Sequence, residues 1–266
     1  MILFIFEGQV EEPKIMATIK QLFLSRIEEQ LLCSFGSDTY TLWKDIVEYQ
    51  KSGYEIDVFN IVKARLHSRG DYSLDKYYSH QIESIYLFFD YDPQNRTISS
   101  DKLNQAIDYM VNTFSDSMNQ GQIYISYPMI EAIYSENSSS DDAYISYCVP
   151  INECKTKAWC ESYEYGRKRL KVLFKTNNDN VITEPLTENR ISELKNTWIN
   201  LIRQNAIKAN FISNGKKCLP EDISDIEQGK IFVGLLDKFV NTKSSIAILS
   251  SFAIFLYDYF HGNGEI

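Results

Sequence analysis

The sequence predicts an α/β protein in which a parallel sheet flanked by helices is followed by a mainly helical C-terminal region. Over the first 130 residues, short apolar runs alternate with longer segments of helical periodicity, which is the pattern of βαβ units. The polar stretch SENSSSDDA, residues 135–143, is typical of a loop or boundary, and mainly helical periodicity follows it. We therefore divide the chain into an α/β domain, 1–134, and a mainly helical domain, 135–266.

Four short apolar runs in the first half have the composition of strands. They are ILFIF (2–6), IDVFNIV (56–62), SIYLFF (84–89) and QIYIS (122–126). Apolar residues at helical spacing predict helices between them, and the segment 38–51 predicts a further helix. The two apolar stripes are Ile15, Ile19, Leu22 and Phe23, and Leu103, Ile107, Met110, Val111 and Phe114.

The second half of the chain predicts four helices, over 153–174, 187–210, 223–240 and 244–260. The last segment, SSIAILSSFAIFLYDYF, is shorter than the roughly 20 apolar residues of a membrane span and carries Asp258. We expect it to be a helix buried in the C-terminal region or against a second copy of the chain. A homodimer is therefore one of the arrangements that the sequence allows. Membrane insertion is not expected.

The composition is that of an ordinary folded protein of 266 residues with a net charge of −9 and a pI near 5.0. Such an acidic chain is unsuited to coating nucleic acid non-specifically, because that binding depends on Lys and Arg. Five cysteines without a CxxC pair, and a start that lacks the layout of a signal peptide, predict a reduced, cytoplasmic protein.

Acidic residues follow three of the four predicted strands. Their carboxyl ends meet at one rim of a parallel sheet, which is where such sheets bind ligands. The acids are Glu7, Glu11 and Glu12 after the first strand, Asp90 and Asp92 after the third, and Glu131 after the fourth.

Asp90 and Asp92 would lie on the same side of an extended chain. Holding two such charges close together costs on the order of a few kcal/mol unless a cation, a shared proton or solvent offsets it. A metal ion is the simplest relief, and carboxylates suit Mg²⁺ or Mn²⁺. Gly8 fits a tight turn into a helix whose N-terminus offers backbone donors to a phosphate. The alternatives are a simple turn at Glu7 and Gly8 and a solvated loop at DYDP.

In their order, FIFEG and FFDYD resemble the Toprim domain, in which a Glu-Gly pair ends the first strand and Asp-x-Asp ends the third. FEGQVEEP and ISYPMIEAIY further resemble the RloB-like and OLD-type (overcoming lysogenization defect) nucleases of phage-defence systems. The resemblance covers residues 1–134.

The resemblance implies a role for each acid at the rim. Glu7 would be the general acid/base or a metal ligand, Asp90 and Asp92 would bind metal, and Glu131 would complete a second metal position. Either Glu11 or Glu12 could match the second glutamate of the first motif. Pro13 after it favours Glu12 slightly, and Glu131 could instead be an exposed helix residue.

The resulting hypothesis is a Mg²⁺- or Mn²⁺-dependent endonuclease that cleaves DNA or RNA, tRNA included, as an effector in phage defence. One alternative is a catalytically silent Toprim module that binds an ATPase or a phage protein. A phosphatase of the haloacid-dehalogenase type is disfavoured, because its Asp-x-Asp normally ends the first strand and is followed by threonine.

The run YGRKRLK, residues 165–171, is the densest basic segment and lies beside Trp159, Tyr163 and Tyr165. Arg167, Lys168 and Lys171 could follow the phosphates of a nucleic acid, with the aromatic rings stacking on bases. The alternative is a solvated helix face. The chain has no P-loop, so any nucleotide hydrolysis in the system requires a separate ATPase subunit.

Overall fold

The computed structural model describes residues 1–25, 27, 29–94, 98–135, 141–156, 159–160, 170, 174–177, 180–183 and 187–262. It has a mostly parallel five-stranded sheet flanked by helices and a helical C-terminal region. The fold class predicted from the sequence is confirmed.

The sheet positions the candidate site. Its strands are β1 (Ile2–Phe6), β2 (Gln30–Ser34), β3 (Ser84–Asp90), β4 (Ser115–Asp116) and β5 (Gly121–Ser126), in the order β2-β1-β3-β5-β4. Strands β2, β1, β3 and β5 are parallel, and only the short β4 is antiparallel among these five. The predicted strands at 2–6, 84–89 and 122–126 are thus confirmed.

The predicted strand at 56–62 is wrong. This segment belongs to α3 (Val58–His67), which begins where the Asp57 carboxylate accepts a hydrogen bond from the Asn60 amide at 3.0 Å. Its buried residues continue to Leu66 at helical spacing. The remaining parallel strand is β2, whose signal is weak because it lies at the sheet edge and leaves Leu32 exposed.

The other helices of the first half agree with the predicted periodicity. They are α1 (Glu11–Leu22), α2 (Thr39–Lys51) and α4 (Ser100–Thr113). Asp38 caps α2 by accepting from the Thr41 amide at 2.9 Å, and Ser99 caps α4. After β5 the chain passes through a cis Tyr127–Pro128 bond into a 3-10 helix, Ile130–Tyr134.

The C-terminal region contains helices together with short strands. Its elements are α5 (Asp141–Ser146), β6 (Cys148–Pro150), a 3-10 helix (Ile151–Thr156), β7 (Phe174–Asn177), β8 (Asn180–Thr183), α6 (Glu188–Asn214), a 3-10 turn (Ile223–Ile226), α7 (Gln228–Leu235), a π-helical turn (Leu236–Val240), α8 (Asn241–Lys243), β9 (Ser245–Ala247) and α9 (Ser251–Gly262).

The helix predicted over 187–210 is confirmed as α6, and the segment 223–240 is largely helical as predicted. The segment 244–260 begins with β9, which pairs with β6, and becomes helical only in α9. The helix predicted over 153–174 falls mostly outside the described residues, and Phe174 at its end lies in β7.

Helix α9 covers one face of the sheet. Phe252 stacks on Phe88 with ring centroids 4.5 Å apart, and Phe255 contacts Phe4, Tyr86 and Phe88 edge-on. The apolar core is therefore continuous across the boundary at 134/135, and the division into two domains remains a prediction. None of the described helices has the length and apolar character needed to cross a membrane.

Candidate active site

The acids converge where the parallel strands end. In the register of the sheet, Phe6 of β1 lies opposite Phe88, and Asp90 of β3 lies opposite Ser126 of β5. The amide of Glu7 donates to the Phe88 carbonyl at 2.9 Å, which places Glu7 one step beyond β1 at the same rim. The predicted convergence of strand ends is therefore present in the sheet itself.

The Glu7 carboxylate lies against the backbone of Asp90, whose amide donates to Glu7 Oε2 at 3.0 Å. Burial raises the pKa of Glu7 to about 8, and this hydrogen bond opposes the rise. Three neighbouring carboxylates raise that pKa further: Asp38, Glu12 and Asp92. Glu7 is therefore suited to exchange a proton near neutral pH.

Asp90 lies at the centre of the acids. Burial raises its pKa well above the ordinary value, and the nearby carboxylates of Glu7, Glu12 and Glu131 act in the same direction. A hydrogen bond from the backbone of Ile130 opposes them. The Asp90 carbonyl in turn accepts a hydrogen bond from Thr39 Oγ1 at 3.1 Å, which ties this strand end to the start of α2.

The structure separates the two candidates for the second glutamate. Glu12 is only 6% exposed, and its Oε1 accepts a hydrogen bond from the Gly8 amide at 2.9 Å. A Cβ at position 8 would lie 2.6 Å from both Glu12 oxygens, so glycine allows this approach. Glu11 instead accepts a hydrogen bond from the Tyr134 hydroxyl at 3.1 Å. Glu12 is thus the glutamate that interacts with Glu7 and Asp90.

Glu131 is buried at 3% exposure in the 3-10 helix that follows β5. Its carboxylate acts electrostatically on Asp90 and Glu12, so it belongs to the same cluster. The exposed helix position considered from the sequence is therefore wrong for this residue. Burial likewise raises the pKa of Glu12, with contributions from Glu131 and Glu11.

Asp92 stands at the edge of the cluster with a positive φ of 38°, which is uncommon outside glycine and frequent at functional positions. Its amide donates to the Pro128 carbonyl at 3.0 Å. Burial raises its pKa, whereas Lys155 lowers it. Lys155 thus partly neutralises the charge of Asp92.

Two residues at the site were not predicted from the sequence. Asp38 contributes to the raised pKa values of Glu7 and Asp92, and Thr39 binds the Asp90 carbonyl. Both follow β2, the strand that the sequence analysis did not assign. Assigning β2 would have placed the Asp38 cap at the carboxyl rim, because the loop after a parallel strand opens onto that edge.

The oxygen-only donor set fits a hard divalent cation. Burial and mutual repulsion raise the pKa values of Glu7, Glu12 and Asp90, and no described Lys or Arg opposes these increases. Their negative charges therefore lack a positive partner in the described part of the chain, and a divalent cation would provide one. The described His, Cys, Asp and Glu side chains do not, however, form a group of three arranged to hold a metal ion. The oxygen donors that could bind such a cation are Glu7, Glu12, Asp90 and Glu131. Binding would require these side chains to move closer together.

The predicted nucleic-acid contacts Arg167, Lys168 and Lys171 lie outside the described residues. Trp159, beside that run, is buried and donates from its indole to the Cys154 carbonyl at 2.8 Å. Trp159 therefore packs in the core instead of stacking on a base.

Comparison with protein-family models, curated proteins and solved structures found no match to this chain.

Proposed function

We propose that the protein is a metal-dependent endonuclease of the Toprim type that hydrolyses phosphodiester bonds in DNA or RNA. The observation that carries the proposal is the meeting of Glu7 and Asp90 at the carboxyl ends of adjacent parallel strands, joined by the 3.0 Å hydrogen bond and surrounded by further acids. The order of the motifs along the chain supports the Toprim assignment, and the geometry supports a cation-dependent site.

The chain's own residues have distinct tasks in this proposal. Glu7 Oε2 accepts the Asp90 amide, so Oε1 is the oxygen that can take or release a proton. Asp90, Glu12 and Glu131, with Asp92 at the edge, would hold Mg²⁺ or Mn²⁺. When bound, the ion would neutralise charge on the phosphodiester and make water a better nucleophile. The hydrogen bond from Gly8 fixes the orientation of Glu12 toward the same rim.

The basic run with Arg167, Lys168 and Lys171 is the proposed nucleic-acid contact, because a chain with a net charge of −9 requires a local positive surface to bind a polyanion. The role in phage defence, the cytoplasmic location and a separate ATPase partner are proposed from the sequence and the resemblance.

The test is cleavage of plasmid DNA and of total tRNA by the purified protein with Mg²⁺ or Mn²⁺, and with EDTA as the metal-free control. We expect metal-dependent cleavage of one substrate, with a loss of at least about 100-fold in Glu7→Gln and Asp90→Asn, the range of a general acid/base contribution. Full activity in EDTA or in these variants would refute the proposal.

The second candidate is a catalytically silent module that binds an ATPase or a phage protein. It is favoured by the absence, among the described side chains, of a ready three-ligand metal arrangement. A stable partner in pull-downs, together with no cleavage under any metal, would support this function over the first.

A further inference from the structure

A polar cavity lies away from the acidic cluster. Its volume is about 400 Å³, within the size range of small-molecule sites, and it is enclosed by β5, α4, α7 and α9. Gln122, Ile123 and Tyr124 of β5 line it, whereas Asp90 lies opposite the last residue of β5, Ser126. At about 3.3 Å per residue, Tyr124 and Ser126 are only about 7 Å apart along the strand. The cavity is nevertheless distinct from the acidic cluster, because none of Glu7, Glu12, Asp90, Asp92 and Glu131 is among the described residues that line it.

Asp258 of α9 supplies a fixed acceptor to this cavity. Its Oδ2 accepts two hydrogen bonds, from Gln122 Nε2 at 2.7 Å and from the Tyr124 hydroxyl at 2.6 Å. Within the described chain, Oδ1 has no hydrogen-bond partner and is not one of the enclosed unpartnered atoms. Since Asp258 lines the cavity, Oδ1 is the acceptor that it presents there.

Gln228 at the start of α7 supplies a fixed donor. Its Oε1 accepts a hydrogen bond from the Ile125 amide of β5 at 3.1 Å, and a backbone N–H requires the oxygen at this position. The side-chain amide therefore has one orientation, with Nε2 on its other side. Among the described residues Nε2 has no partner, and it is not enclosed, although Gln228 as a whole is buried. The cavity is the space that Nε2 can reach.

The remaining walls disfavour an anionic ligand. Phe114, Ile123 and Ile254 are almost fully buried behind the cavity wall, the half-buried Ile223 is the more accessible apolar side chain, and no Lys or Arg is among the described residues around the cavity. Its charged side chains are Asp258 and Glu227, both acidic. A phosphate or carboxylate would be repelled there, whereas a planar ring with an N–H donor and a ring acceptor would satisfy both fixed groups.

We propose that this cavity binds a nucleobase that carries an exocyclic amino group, as a nucleoside, with the amino group donating to Asp258 Oδ1 and a ring nitrogen accepting from Gln228 Nε2. The half-buried Ile223 is the apolar side chain that can contact the base. This site is independent of the endonuclease proposed above.

Two substitutions reverse one polar group each and keep the internal hydrogen bond. Asp258→Asn can still accept from Gln122 and Tyr124 through its oxygen but presents an NH₂ group in place of Oδ1. Gln228→Glu can still accept from the Ile125 amide but presents an oxygen in place of Nε2. Asp237→Asn, at an exposed position after α7, removes one negative charge and is the matched control.

The experiment is isothermal titration calorimetry of the full chain with adenosine and with inosine, which has a carbonyl in place of the amino group. We expect adenosine to bind, inosine to bind at least tenfold more weakly, and both variants to lose at least tenfold in adenosine affinity, because a mismatched buried polar group is costly. Asp237→Asn and the acidic-site variant Glu7→Gln should bind adenosine like the wild type.

Comparable binding of adenosine and inosine by the wild type would overturn the proposal, whether or not the variants fold. Absence of adenosine binding at millimolar concentration would also overturn the proposal. Binding of the polyamine spermidine in place of adenosine would overturn it too, because the acidic side chains of the cavity would then bind a cation. Binding by Glu7→Gln without any nuclease activity in the wild type would leave this site supported and the endonuclease refuted, so the two failures are distinguishable.

Discussion

The backbone amide of Asp90 donates to the Glu7 side chain at 3.0 Å, across 83 residues of sequence. The hydrogen bond joins the ends of β1 and β3 and holds a carboxylate among other carboxylates. Removing the Glu7 side chain would therefore remove a charge and also leave a buried amide without an acceptor. Glutamine separates the two effects, because it removes the charge and keeps an oxygen for the amide.

We predict that Glu7→Gln and Asp90→Asn abolish cleavage while making the metal-free protein more stable. Each substitution removes one negative charge from a group whose burial and neighbours already raise its pKa. The expected gain is about 1 to 3 kcal/mol in the free energy of unfolding at pH 8, measured by urea denaturation in EDTA. Glu48→Gln removes the same charge from the exposed surface of α2 and should change stability by less than about 0.5 kcal/mol. A loss of stability in both site variants would contradict the repulsion argument.

Divalent cations should stabilise the wild type but not the two site variants, and so reduce the difference in stability between them. Because the ion binds only the folded cluster, 10 mM Mg²⁺ with a dissociation constant of about 1 mM would stabilise the wild type by about 1.4 kcal/mol. Differential scanning fluorimetry should therefore show a rise in Tm with Mg²⁺ or Mn²⁺ in the wild type and in Glu48→Gln. The same rise in Glu7→Gln and Asp90→Asn would place the ion elsewhere.

The sequence predicted the strands that carry the acids because β1, β3 and β5 are buried apolar runs bounded by polar residues. It failed at β2 and α3 for a common reason. An edge strand needs few apolar residues, and the ten-residue α3 is rich in the β-branched and aromatic residues that also favour strands. The error concealed Asp38, since its place at the site depends on β2.

The choice between Glu11 and Glu12 could not be made from the sequence, because adjacent residues at the start of a helix are both acidic and differ only in direction. In the structure, Glu12 is the one of the two that accepts a hydrogen bond from the Gly8 amide, whereas Glu11 accepts one from Tyr134. Tertiary contact likewise buries Glu131, whose local sequence is equally compatible with an exposed turn. Sequence patterns therefore do not predict the direction of side chains at the ends of helices and strands.

The contact between α9 and the sheet should dominate stability. Phe252 is fully buried and stacks on Phe88 at 4.5 Å, so Phe252→Ala should cost about 3 to 5 kcal/mol in the free energy of unfolding. Leu249→Ala, at 1% exposure, should cost about 2 to 5 kcal/mol. Val233→Ala on the exposed face of α7 is the control and should cost less than about 1 kcal/mol. A change of a few tenths in Phe252→Ala would show that α9 is peripheral.

Helices α6 and α7 approach so closely that position 234 requires glycine. A Cβ there would lie 2.2 Å from the Ile212 carbonyl oxygen and 2.8 Å from its carbon, and neither backbone atom can move without shifting a helix. Gly234→Ala should therefore destabilise the protein by more than about 1 kcal/mol, against the usual helix preference for alanine. In the same helix, a Cβ at position 229 would meet only the Asn112 side chain, at 3.2 Å. Gly229→Ala should therefore leave stability nearly unchanged or raise it, and thermal denaturation of both variants measures the difference. Equal effects of the two substitutions would argue against the close approach.

Lys208 of α6 predicts a rise in stability with pH. It is fully buried, and its Nζ donates to the carbonyls of Tyr144 at 2.8 Å and Tyr147 at 2.7 Å. Burial lowers its pKa to about 7, and the nearby Cys148 opposes the change. Between pH 7 and the ordinary lysine value of 10.5, the unfolded chain binds a proton that the folded chain has released, so stability increases with pH.

The expected increase attributable to Lys208 is about 2 kcal/mol between pH 7.5 and pH 9, measured by urea denaturation at each pH. Lys208→Met leaves two carbonyls without their donor but also removes the buried titrating amine, so its stability should lack this increase. Lys195→Met on the exposed face of the same helix should retain the wild-type pH dependence. The comparison of slopes separates the contribution of Lys208 from that of the tyrosines and cysteines, since all three proteins contain them. Equal slopes in the wild type and Lys208→Met would mean that the buried amine stays charged, held by its two carbonyl acceptors and by the Tyr144 ring 4.4 Å from Nζ.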